Sequence, residues 1–486
     1  MEGDSVSRVV EELERLLGPE KVISDPHIVR LYSREPSGLE GRAEAVVLPE
    51  SAQDVSRLVR YAYHKEIYIY PQGSSTDLAG GAFPERPGVV VSMERMRRVK
   101  EVSVLDSVVV VEPGVRLWDL NVELSKHRYM FPIDPGSVKV ATVGGAVNTG
   151  AGGMRGARYG TMRDWVLGLE IVLPDEEGTI LRVGCRTLKC RQGYDLARLI
   201  VGSEGTLAIV TEAILKITPM PENVVVVLAF FPTMRQLVDA VIEVKSRAID
   251  TLLMEFMDVD SARLAAETLG AAIRPDGHML LVGVPVNREA SERVLGEVVS
   301  IARAAGAASV YTARSMEEAE EKKLLEIRRS LFATQALLTQ KQFKGRKVMM
   351  LMEDIAVPPS KLLDAVERLK ELEAKYGFKT VLGGHIGDGN LHPTISYPVD
   401  DEKAKEAALQ WYYDVMKMAI ELGGTVSAEH GIGVLKKEAL KLELERVGST
   451  KALEIMAGIK GCLTPKAYST LERLSGPGNT GCLSAI

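Results

Sequence analysis

Residues 141–153 read Ala-Thr-Val-Gly-Gly-Ala-Val-Asn-Thr-Gly-Ala-Gly-Gly, and this glycine-rich stretch does most to decide the fold. Two similar stretches flank it along the chain: residues 71–81, Pro-Gln-Gly-Ser-Ser-Thr-Asp-Leu-Ala-Gly-Gly, and residues 202–207, Gly-Ser-Glu-Gly-Thr-Leu. Glycine lets backbone N–H groups approach a phosphate closely, and the hydroxyls of serine and threonine add donors. Taken singly, each stretch is better explained as a turn or a close packing site. Three of them within about 135 residues favour a large phosphate-bearing ligand.

These stretches differ from the two most familiar nucleotide-binding loops. A Walker A loop ends in Gly-Lys-Ser/Thr, and a Rossmann turn reads Gly-x-Gly-x-x-Gly. Neither pattern occurs in the three stretches. We therefore expect a different type of nucleotide-binding domain.

A second pattern, in residues 383–392, carries two histidines: Gly-Gly-His-Ile-Gly-Asp-Gly-Asn-Leu-His. Asp388-Gly389 predicts a two-residue type I′ hairpin turn, which would pair His385 with His392. Their Cβ atoms would then lie roughly 4.5–5.5 Å apart. Either histidine alone would more often be structural, but an opposed pair favours a metal site with His₂Glu ligands and an open fourth position.

The carboxylate and a further histidine come thirty-seven residues after His392, in Glu429-His430-Gly431-Ile432-Gly433. In this interpretation Glu429 completes the metal ligands His385 and His392. His430 is left to move a proton, since histidine changes its protonation near neutral pH.

The composition is that of an ordinary globular protein of two or three domains. The chain has 486 residues, of which 46% are hydrophobic and 26% charged. Its formal net charge of -6 argues against nucleic acid as a main partner. The four cysteines (185, 190, 462 and 482) contain no Cys-x-x-Cys pair, so we expect neither a zinc ribbon nor an iron–sulfur cluster of its own.

The location is expected to be cytoplasmic. Sparse cysteine use suits a reducing compartment. The acidic start Met1-Glu2-Gly3-Asp4 does not resemble a signal peptide, and no apolar run approaches the roughly 20 residues that a membrane span needs. Any membrane association is expected to be peripheral, on the inner face, through an electron acceptor.

The order of predicted elements divides the chain at Pro219-Met220-Pro221. Residues 1–220 alternate short apolar strands with the glycine loops, and Ser51 is expected to cap a helix that runs to about His64. Residues 221–422 alternate strands and helices, among them a strand at Val224–Phe231 and helices at 234–248, 316–340 and 402–422, which predicts an α+β domain with its sheet covered on one face by helices. Residues 423–486 carry Glu429-His430, a helix near 435–446, and a polar tail around 476–479.

Together, the motifs resemble the FAD-binding domain of the vanillyl-alcohol oxidase (PCMH) type. The resemblance rests on residues 71–81, 134–153 with Tyr-Gly-Thr-Met-Arg-Asp at 159–164, and 202–207. Two further motifs narrow the resemblance, His-x-Gly-Asp-Gly-Asn-Leu-His and Glu-His-Gly-Ile-Gly. They are similar to motifs of the branch that contains D-lactate dehydrogenases, D-2-hydroxyglutarate dehydrogenases and the flavin subunit of glycolate oxidase. The implied fold is a two-subdomain FAD-binding domain plus an α+β cap domain with a largely antiparallel sheet.

The resemblance also implies which residues contact FAD. They come from all three glycine-rich regions: Pro71, Gly73, Ser74, Ser75, Thr76, Asp77, Pro135, Gly136, Thr142, Gly145, Asn148, Thr149, Gly152, Glu204, Gly205 and Ile209. No histidine stands where relatives attach the flavin covalently, so FAD is expected to be non-covalent. The family's C-terminal Asn-Pro-Gly-Lys segment is missing after Gly461-Cys462-Leu463, which leaves the closure of the flavin pocket open.

The implied reaction is oxidation of a D-2-hydroxy acid, such as D-lactate or glycolate, to the 2-oxo acid. His385, His392 and Glu429 would bind a divalent metal, with zinc expected first and manganese or iron as alternatives. A metal would lower the pKa of the substrate hydroxyl, His430 would take its proton, and hydride would pass to flavin N5. Arg328 is expected at the substrate carboxylate, and Asn390 at its hydroxyl or carboxylate.

Three alternatives remain at this stage. They are an FAD-dependent transferase of the alkyl-dihydroxyacetonephosphate synthase type, a metal-dependent hydrolase, and a flavin-binding scaffold. For the dehydrogenase, electrons would leave to a quinone, a cytochrome, an electron-transfer flavoprotein or an iron–sulfur subunit. A homodimer remains open.

Overall fold

A computed structural model describes residues 2–464, with side chains from residue 8 onwards. The polar tail expected around 476–479 lies outside the described residues. The described chain forms two compact units. The FAD unit, as we call it, holds residues 2–152, 161–220 and 429–464, and the cap unit holds residues 153–160 and 221–428.

The described strands, in chain order, are β1 Val22–Ile23, β2 Ala43–Val47, β3 Tyr68–Gln72, β4 Gly88–Ser92, β5 Val99–Ser103, β6 Val108–Val111, β7 Tyr129–Met130, β8 Val166–Val172, β9 Ile180–Gly184, β10 Ile209–Lys216, β11 Thr218–Pro219, β12 Asn223–Phe231, β13 Leu253–Met257, β14 His278–Val286, β15 Ser309–Ala313, β16 Val348–Met352, β17 Ile355–Ala356, β18 Gly383–Gly384, β19 Asn390–Leu391 and β20 Thr394–Pro398.

The described α-helices are α1 Glu2–Leu17, α2 Pro26–Tyr32, α3 Ala52–Lys65, α4 Leu117–Ser125, α5 Val143–Thr149, α6 Gly156–Tyr159, α7 Met162–Trp165, α8 Leu196–Ile200, α9 Met234–Ser246, α10 Val259–Leu269, α11 Ser291–Ala304, α12 Met316–Glu321, α13 Leu324–Arg329, α14 Leu331–Gln342, α15 Leu362–Tyr376, α16 Glu402–Glu421, α17 Lys437–Arg446 and α18 Lys451–Leu463. None of them is long and apolar enough to cross a membrane.

The FAD unit contains two main sheets. The first has strand order β1-β2-β4-β3, with β2, β4 and β3 parallel to one another. The second is antiparallel, with order β5-β6-β10-β8-β9. Helix α3 begins where Ser51 predicted it, because the Ser51 side chain accepts the N–H of Asp54 at 3.1 Å as an N-cap. These two sheets form the two subdomains that the sequence predicted.

The cap unit is built on an antiparallel sheet with order β15-β12-β14-β13-β18. The prediction that helices cover one face only was wrong. Strand β12 reads Asn-Val-Val-Val-Val-Leu-Ala-Phe-Phe, and a strand that is apolar on both faces is expected to be buried on both. Val226 and Leu228 pack in a core with α10 and α13, whereas Val227 and Ala229 line a small apolar space with α9 and α11.

The single helix predicted for residues 316–340 is interrupted twice. Helices α12, α13 and α14 replace it, separated at Lys323 and Ser330. Lys323 adopts a left-handed backbone conformation, with φ 59°, which ends a helical run. The break leaves Arg328 near the end of a short helix of its own.

Candidate functional site

The segment with the two histidines forms a wider turn than the predicted hairpin. The N–H of Asn390 donates to the carbonyl of His385 at 3.2 Å, and only Gly389 of the Asp-Gly pair has positive φ, at 88°. The turn is therefore not of type I′, which needs positive φ at both residues. The N–H of His392 donates to Gly383, so the predicted register, 385 with 392, was wrong by two residues.

The two imidazoles nevertheless lie close together. The ring centroids of His385 and His392 are 5.3 Å apart, with the rings perpendicular. Both side chains are buried. The cap unit therefore places two histidines at one buried position, although by a different backbone path from the predicted one.

A buried carboxylate orients the first of these histidines. Nδ1 of His385 lies 2.8 Å from both carboxylate oxygens of Glu255, which stands on β13 and is fully buried. This contact at Nδ1 fixes the orientation of the His385 ring. A carboxylate behind a histidine is the usual support for a metal-ligating imidazole.

The same carboxylate holds the predicted substrate-binding arginine. Nη2 of Arg328 lies 2.8 Å from Oε2 of Glu255, and both side chains are buried. Among the described residues, Nε of Arg328 has no hydrogen-bond partner. One N–H of Arg328 is therefore committed to Glu255, while other donors of its guanidinium are open to an acidic ligand.

Asp354 organises the other side of the histidine pair. Its Oδ1 accepts the amide Nδ2 of Asn390 at 2.8 Å and lies 3.7 Å from Nδ1 of His392. Its Oδ2 accepts the backbone N–H of Ala428 at 3.0 Å. Nδ2 of Asn390 also donates to the carbonyl of Ile355 at 2.9 Å, so this amide group is used inside the protein.

Asp354 therefore fixes Ala428, the residue that directly precedes Glu429-His430 in the chain. Asn390, expected at the substrate, here positions Asp354. Within the cap unit, Asp354 links Asn390 of the histidine segment to Ala428.

In the FAD unit, the residues predicted to contact FAD stand on three neighbouring pieces of chain. They are placed as follows: Pro71 in β3; Gly73, Ser74, Ser75, Thr76 and Asp77 in the loop after it; Pro135 and Gly136 before α5; Thr142 as the α5 cap; Gly145, Asn148 and Thr149 in α5; Gly152 after α5; Glu204 and Gly205 in the turn after α8; and Ile209 as the first residue of β10.

Several features of these loops fit a bound FAD. A Cβ added at Gly73 would lie 2.3 Å from Oγ1 of Thr142, so only glycine brings the first loop this close to the start of α5. Ser75 and Glu204 adopt positive φ, at 50° and 55°, a conformation that is costly for such residues and is retained mostly at functional sites. Oδ1 of Asn148 is buried and has no partner among the described residues, which suits an atom that a ligand satisfies.

The Glu-His-Gly-Ile-Gly segment rests on all three glycine loops of the same unit. Glu204 accepts the N–H groups of Ile432 at 2.6 Å and Gly433 at 2.8 Å. The carbonyl of Ala79 accepts the N–H of Val434 at 3.1 Å. A Cβ at Gly152 would lie 3.0 Å from Oε2 of Glu429. The loops expected around FAD thus also hold the chain that bears His430.

Asp77 has an unusual environment beside this segment. Burial raises the pKa of its carboxyl, while hydrogen bonds from backbone N–H groups and the nearby His430 oppose the rise. Oδ2 of Asp77 accepts the N–H of Gly81 at 2.5 Å. Asp77 therefore helps to set the shape of the first loop.

Two residues of the site, Glu255 and Asp354, were missed from the sequence. Each is a fully buried acid in an apolar segment, Leu253–Met257 and residues 348–357 respectively. A carboxylate inside such a segment is expensive to bury unless it is paired. That cost was the signal that could have singled them out.

Comparison with known proteins gives the family. The profile "FAD linked oxidases, C-terminal domain" matches residues 220–468, and the profile "FAD binding domain" matches residues 43–184. The chain is 34% identical over 468 residues to the glycolate oxidase subunit GlcD of Bacillus subtilis, which covers 94% of each chain. It is 34% identical over 423 residues to a D-lactate dehydrogenase of Archaeoglobus fulgidus, covering 87% of this chain and 89% of that one.

The chain belongs to the FAD-linked oxidase family. Members of this family bind FAD, and the chain is an FAD-dependent oxidoreductase, as predicted. The predicted family resemblance is confirmed.

Solved structures support the fold independently of sequence. The 4-ethylphenol oxidase of Gulosibacter chungangensis superposes with a TM-score of 0.76 at 17% identity, covering 97% of both chains. p-Cresol methylhydroxylase gives 0.75 at 15% identity, covering 97% of this chain and 98% of that one. The predicted fold class, a PCMH-type FAD domain with an α+β cap, is confirmed.

Proposed function

We propose that this FAD-linked oxidase is a dehydrogenase that oxidises a D-2-hydroxy acid of lactate or glycolate size to the 2-oxo acid. One observation carries the proposal: the segment bearing Glu429 and His430 is held by the same three loops that fit FAD. Proteins named D-lactate dehydrogenase and glycolate oxidase subunit are its relatives over most of the chain. Both names denote small 2-hydroxy acids as substrates.

The protein's own contribution begins with proton removal. Bound non-covalently, FAD would supply the acceptor for two electrons and a hydrogen. His430 would take the proton of the substrate hydroxyl at an imidazole nitrogen, because histidine exchanges protons near neutral pH. The two hydrogen bonds that Glu204 accepts from the N–H groups of Ile432 and Gly433 keep the backbone after His430 in place, so that His430 stays aligned.

Arg328 would bind the substrate carboxylate with the donors that Glu255 leaves open. Guanidinium suits this task because it presents several N–H groups in one plane. The buried Glu255 balances its charge when no substrate is bound. Glu255 is therefore a positioning residue, since it acts through Arg328 and His385.

His385, His392 and Glu429 would hold a divalent metal; His392 and Glu429, but not His385, belong to a group of potential ligands that also contains Asp354 and His430. A bound metal would supply a Lewis acid for the hydroxyl oxygen. The support is chemical: imidazole and carboxylate donors suit zinc, manganese and iron, and Glu255 orients His385 as such ligands require. Ala428, whose N–H Asp354 accepts, directly precedes Glu429 in the chain.

The electrons would leave to a separate acceptor. The candidates are a quinone, a cytochrome, an electron-transfer flavoprotein and an iron–sulfur subunit. A cytoplasmic location, with peripheral association to the inner face of a membrane, belongs to the same proposal.

A substrate panel under anaerobic conditions tests this function. Bleaching of the flavin absorbance by D-lactate or glycolate, with L-lactate inactive, is the expected result. Bleaching should slow after treatment with a chelator, with FAD retained. A flavin that no 2-hydroxy acid reduces would refute the dehydrogenase, and a chelator without effect would refute the metal.

Neither the transferase nor the hydrolase is favoured. The likeness to an alkyldihydroxyacetonephosphate synthase structure, at 18% identity, extends to the fold alone. A hydrolase would leave the FAD-binding domain without a purpose.

A further inference from the structure

Two adjacent loops at one end of the second sheet of the FAD unit expose apolar side chains. The turn between β5 and β6 presents Leu105, which is 99% exposed. The loop between β9 and α8 presents Leu188 and Tyr194, which are 58% and 95% exposed. We call these three residues, with Lys189 and Arg191, the loop-tip surface.

The two loops are held side by side. Arg186 donates from Nη1 to Glu101 at 2.7 Å and from Nη2 to Asp106 at 3.0 Å, so it joins the second loop to the first. These contacts hold the turn that carries Leu105 beside the loop that carries Leu188.

The loop-tip surface is also positively charged, in contrast to the chain as a whole. Residues 180–198 contain five cations and one carboxylate, whereas the full chain carries a net charge of -6. Three of these cations, Arg182, Arg186 and Arg198, pair with carboxylates, so Lys189 and Arg191 supply the positive charge of the surface. Among the side chains that the structure describes, no carboxylate pairs with Lys189 or Arg191. Both side chains are exposed.

We propose that the loop-tip surface docks the protein on an anionic membrane surface. A leucine that stands almost free of its own protein would need a matching pocket on a protein partner, whereas a bilayer accepts it without shape complementarity. Lys189 and Arg191 complement anionic headgroups. Tyr194 suits the interface, because its ring is apolar and its hydroxyl can stay hydrated.

This inference goes beyond the reaction and does not depend on the substrate. It identifies this chain's own loops, rather than an acceptor protein, as the membrane contact. It would bring the FAD unit to the place where a lipid-soluble acceptor resides.

Vesicle flotation of the FAD-loaded full-length protein tests the proposal. The probes are vesicles of phosphatidylcholine with and without phosphatidylglycerol. We expect binding only with phosphatidylglycerol, and release as salt is raised from about 0.1 M to about 1 M, where screening is nearly complete.

Two double variants separate the apolar and the charged contributions. Leu105→Ser with Leu188→Ser should lower the partition coefficient on the order of tenfold or more per leucine, and Lys189→Ala with Arg191→Ala about fivefold per charge. Matched controls lie elsewhere: Leu31→Ser with Leu442→Ser, at residues 67% and 47% exposed, and Lys403→Ala with Lys417→Ala. Neither control should change binding.

Flavin content and the rate of flavin reduction should be unchanged in all four variants, which shows that each is folded. The proposal is overturned if the loop-tip variants partition like their controls, or if binding does not depend on phosphatidylglycerol. It is also overturned if light scattering shows that the wild type associates through this surface and the leucine variant does not, since a second copy would then be its occupant.

Discussion

Glu255 accepts Nδ1 of His385 at 2.8 Å while it pairs with Nη2 of Arg328 at the same distance. One fully buried carboxylate thus supports both a candidate metal ligand and a candidate substrate-binding arginine. In the proposed function, Glu255 thus connects the binding of the substrate carboxylate by Arg328 with the orientation of the His385 imidazole.

Glu255→Gln should destabilise the cap unit and lower its metal content. The change leaves Arg328 buried without its counter-charge, which costs roughly 3–5 kcal/mol of unfolding free energy. Loss of the support for His385 should weaken metal binding about 10- to 100-fold. Urea unfolding and metal analysis measure the two effects.

Glu243→Gln is the control for Glu255, because Glu243 is exposed and should shift stability by no more than about 0.5 kcal/mol. Equal stability of the two variants would show that Glu255 does not carry the charge of Arg328. Full metal occupancy in Glu255→Gln would show that Glu255 is not needed to support His385 as a metal ligand.

Asp354→Asn should slow flavin reduction about 10- to 100-fold without loss of FAD. The substitution keeps the size of the side chain but removes the charge that binds Asn390 and the N–H of Ala428. Stopped-flow reduction by a saturating substrate measures the change. The control is Asp400→Asn, at a mostly exposed aspartate, which should be reduced at the wild-type rate. A wild-type rate in Asp354→Asn as well would contradict the role given to Asp354.

Glu204→Gln should loosen the segment that bears His430. Glu204 accepts two backbone N–H groups, and each charge-assisted bond is worth roughly 1.5–3 kcal/mol. We expect faster hydrogen exchange at Ile432 and Gly433 and a slower reduction of the flavin. The exposed Glu177→Gln is the control. Unaltered exchange in Glu204→Gln would show that other contacts hold the segment.

The buried Lys460 should make the free energy of unfolding depend on pH. Burial lowers the pKa of its ammonium group to about 6, and its Nζ donates to the carbonyl of Thr206. Between about pH 6 and the unfolded pKa near 10.4, the unfolded chain binds more protons at this lysine than the folded chain, so stability should rise with pH. Below about pH 6 both states are protonated and this contribution becomes constant.

Lys460→Met should reduce that rise in stability between about pH 6 and about pH 10, measured as the urea midpoint across the pH range. The exposed Lys451→Met serves as the comparison. An unchanged pH dependence in Lys460→Met would contradict the lowered pKa.

Much of the fold followed from local patterns in the sequence. Ser51 marked the start of α3, and the apolar run of β12 was read as a strand, because capping and hydrophobic patterning are local properties. What failed depended on tertiary context. The Asp388-Gly389 pair is compatible with two turns, and the pairing of Gly383–Gly384 with β13 selects the wider one.

The residues of the candidate site could likewise be predicted only where they belong to a local sequence motif. Residues that belong to motifs, such as His385, His392 and His430, were proposed as site residues from their spacing. Their supports were not, because Glu255 stands 130 positions from His385, and Glu204 stands 228 positions from Ile432. No local pattern connects residues at such separations.

The most direct test compares anaerobic flavin reduction by D-lactate in the wild type and in His430→Ala, both loaded with FAD. The wild type should be bleached, and His430→Ala should keep its FAD and metal but react about 10²- to 10⁴-fold more slowly, as expected for the loss of a general base. If the two proteins are reduced at the same rate, His430 is not the base. If neither D-lactate nor another 2-hydroxy acid bleaches the wild type, the proposed function is wrong.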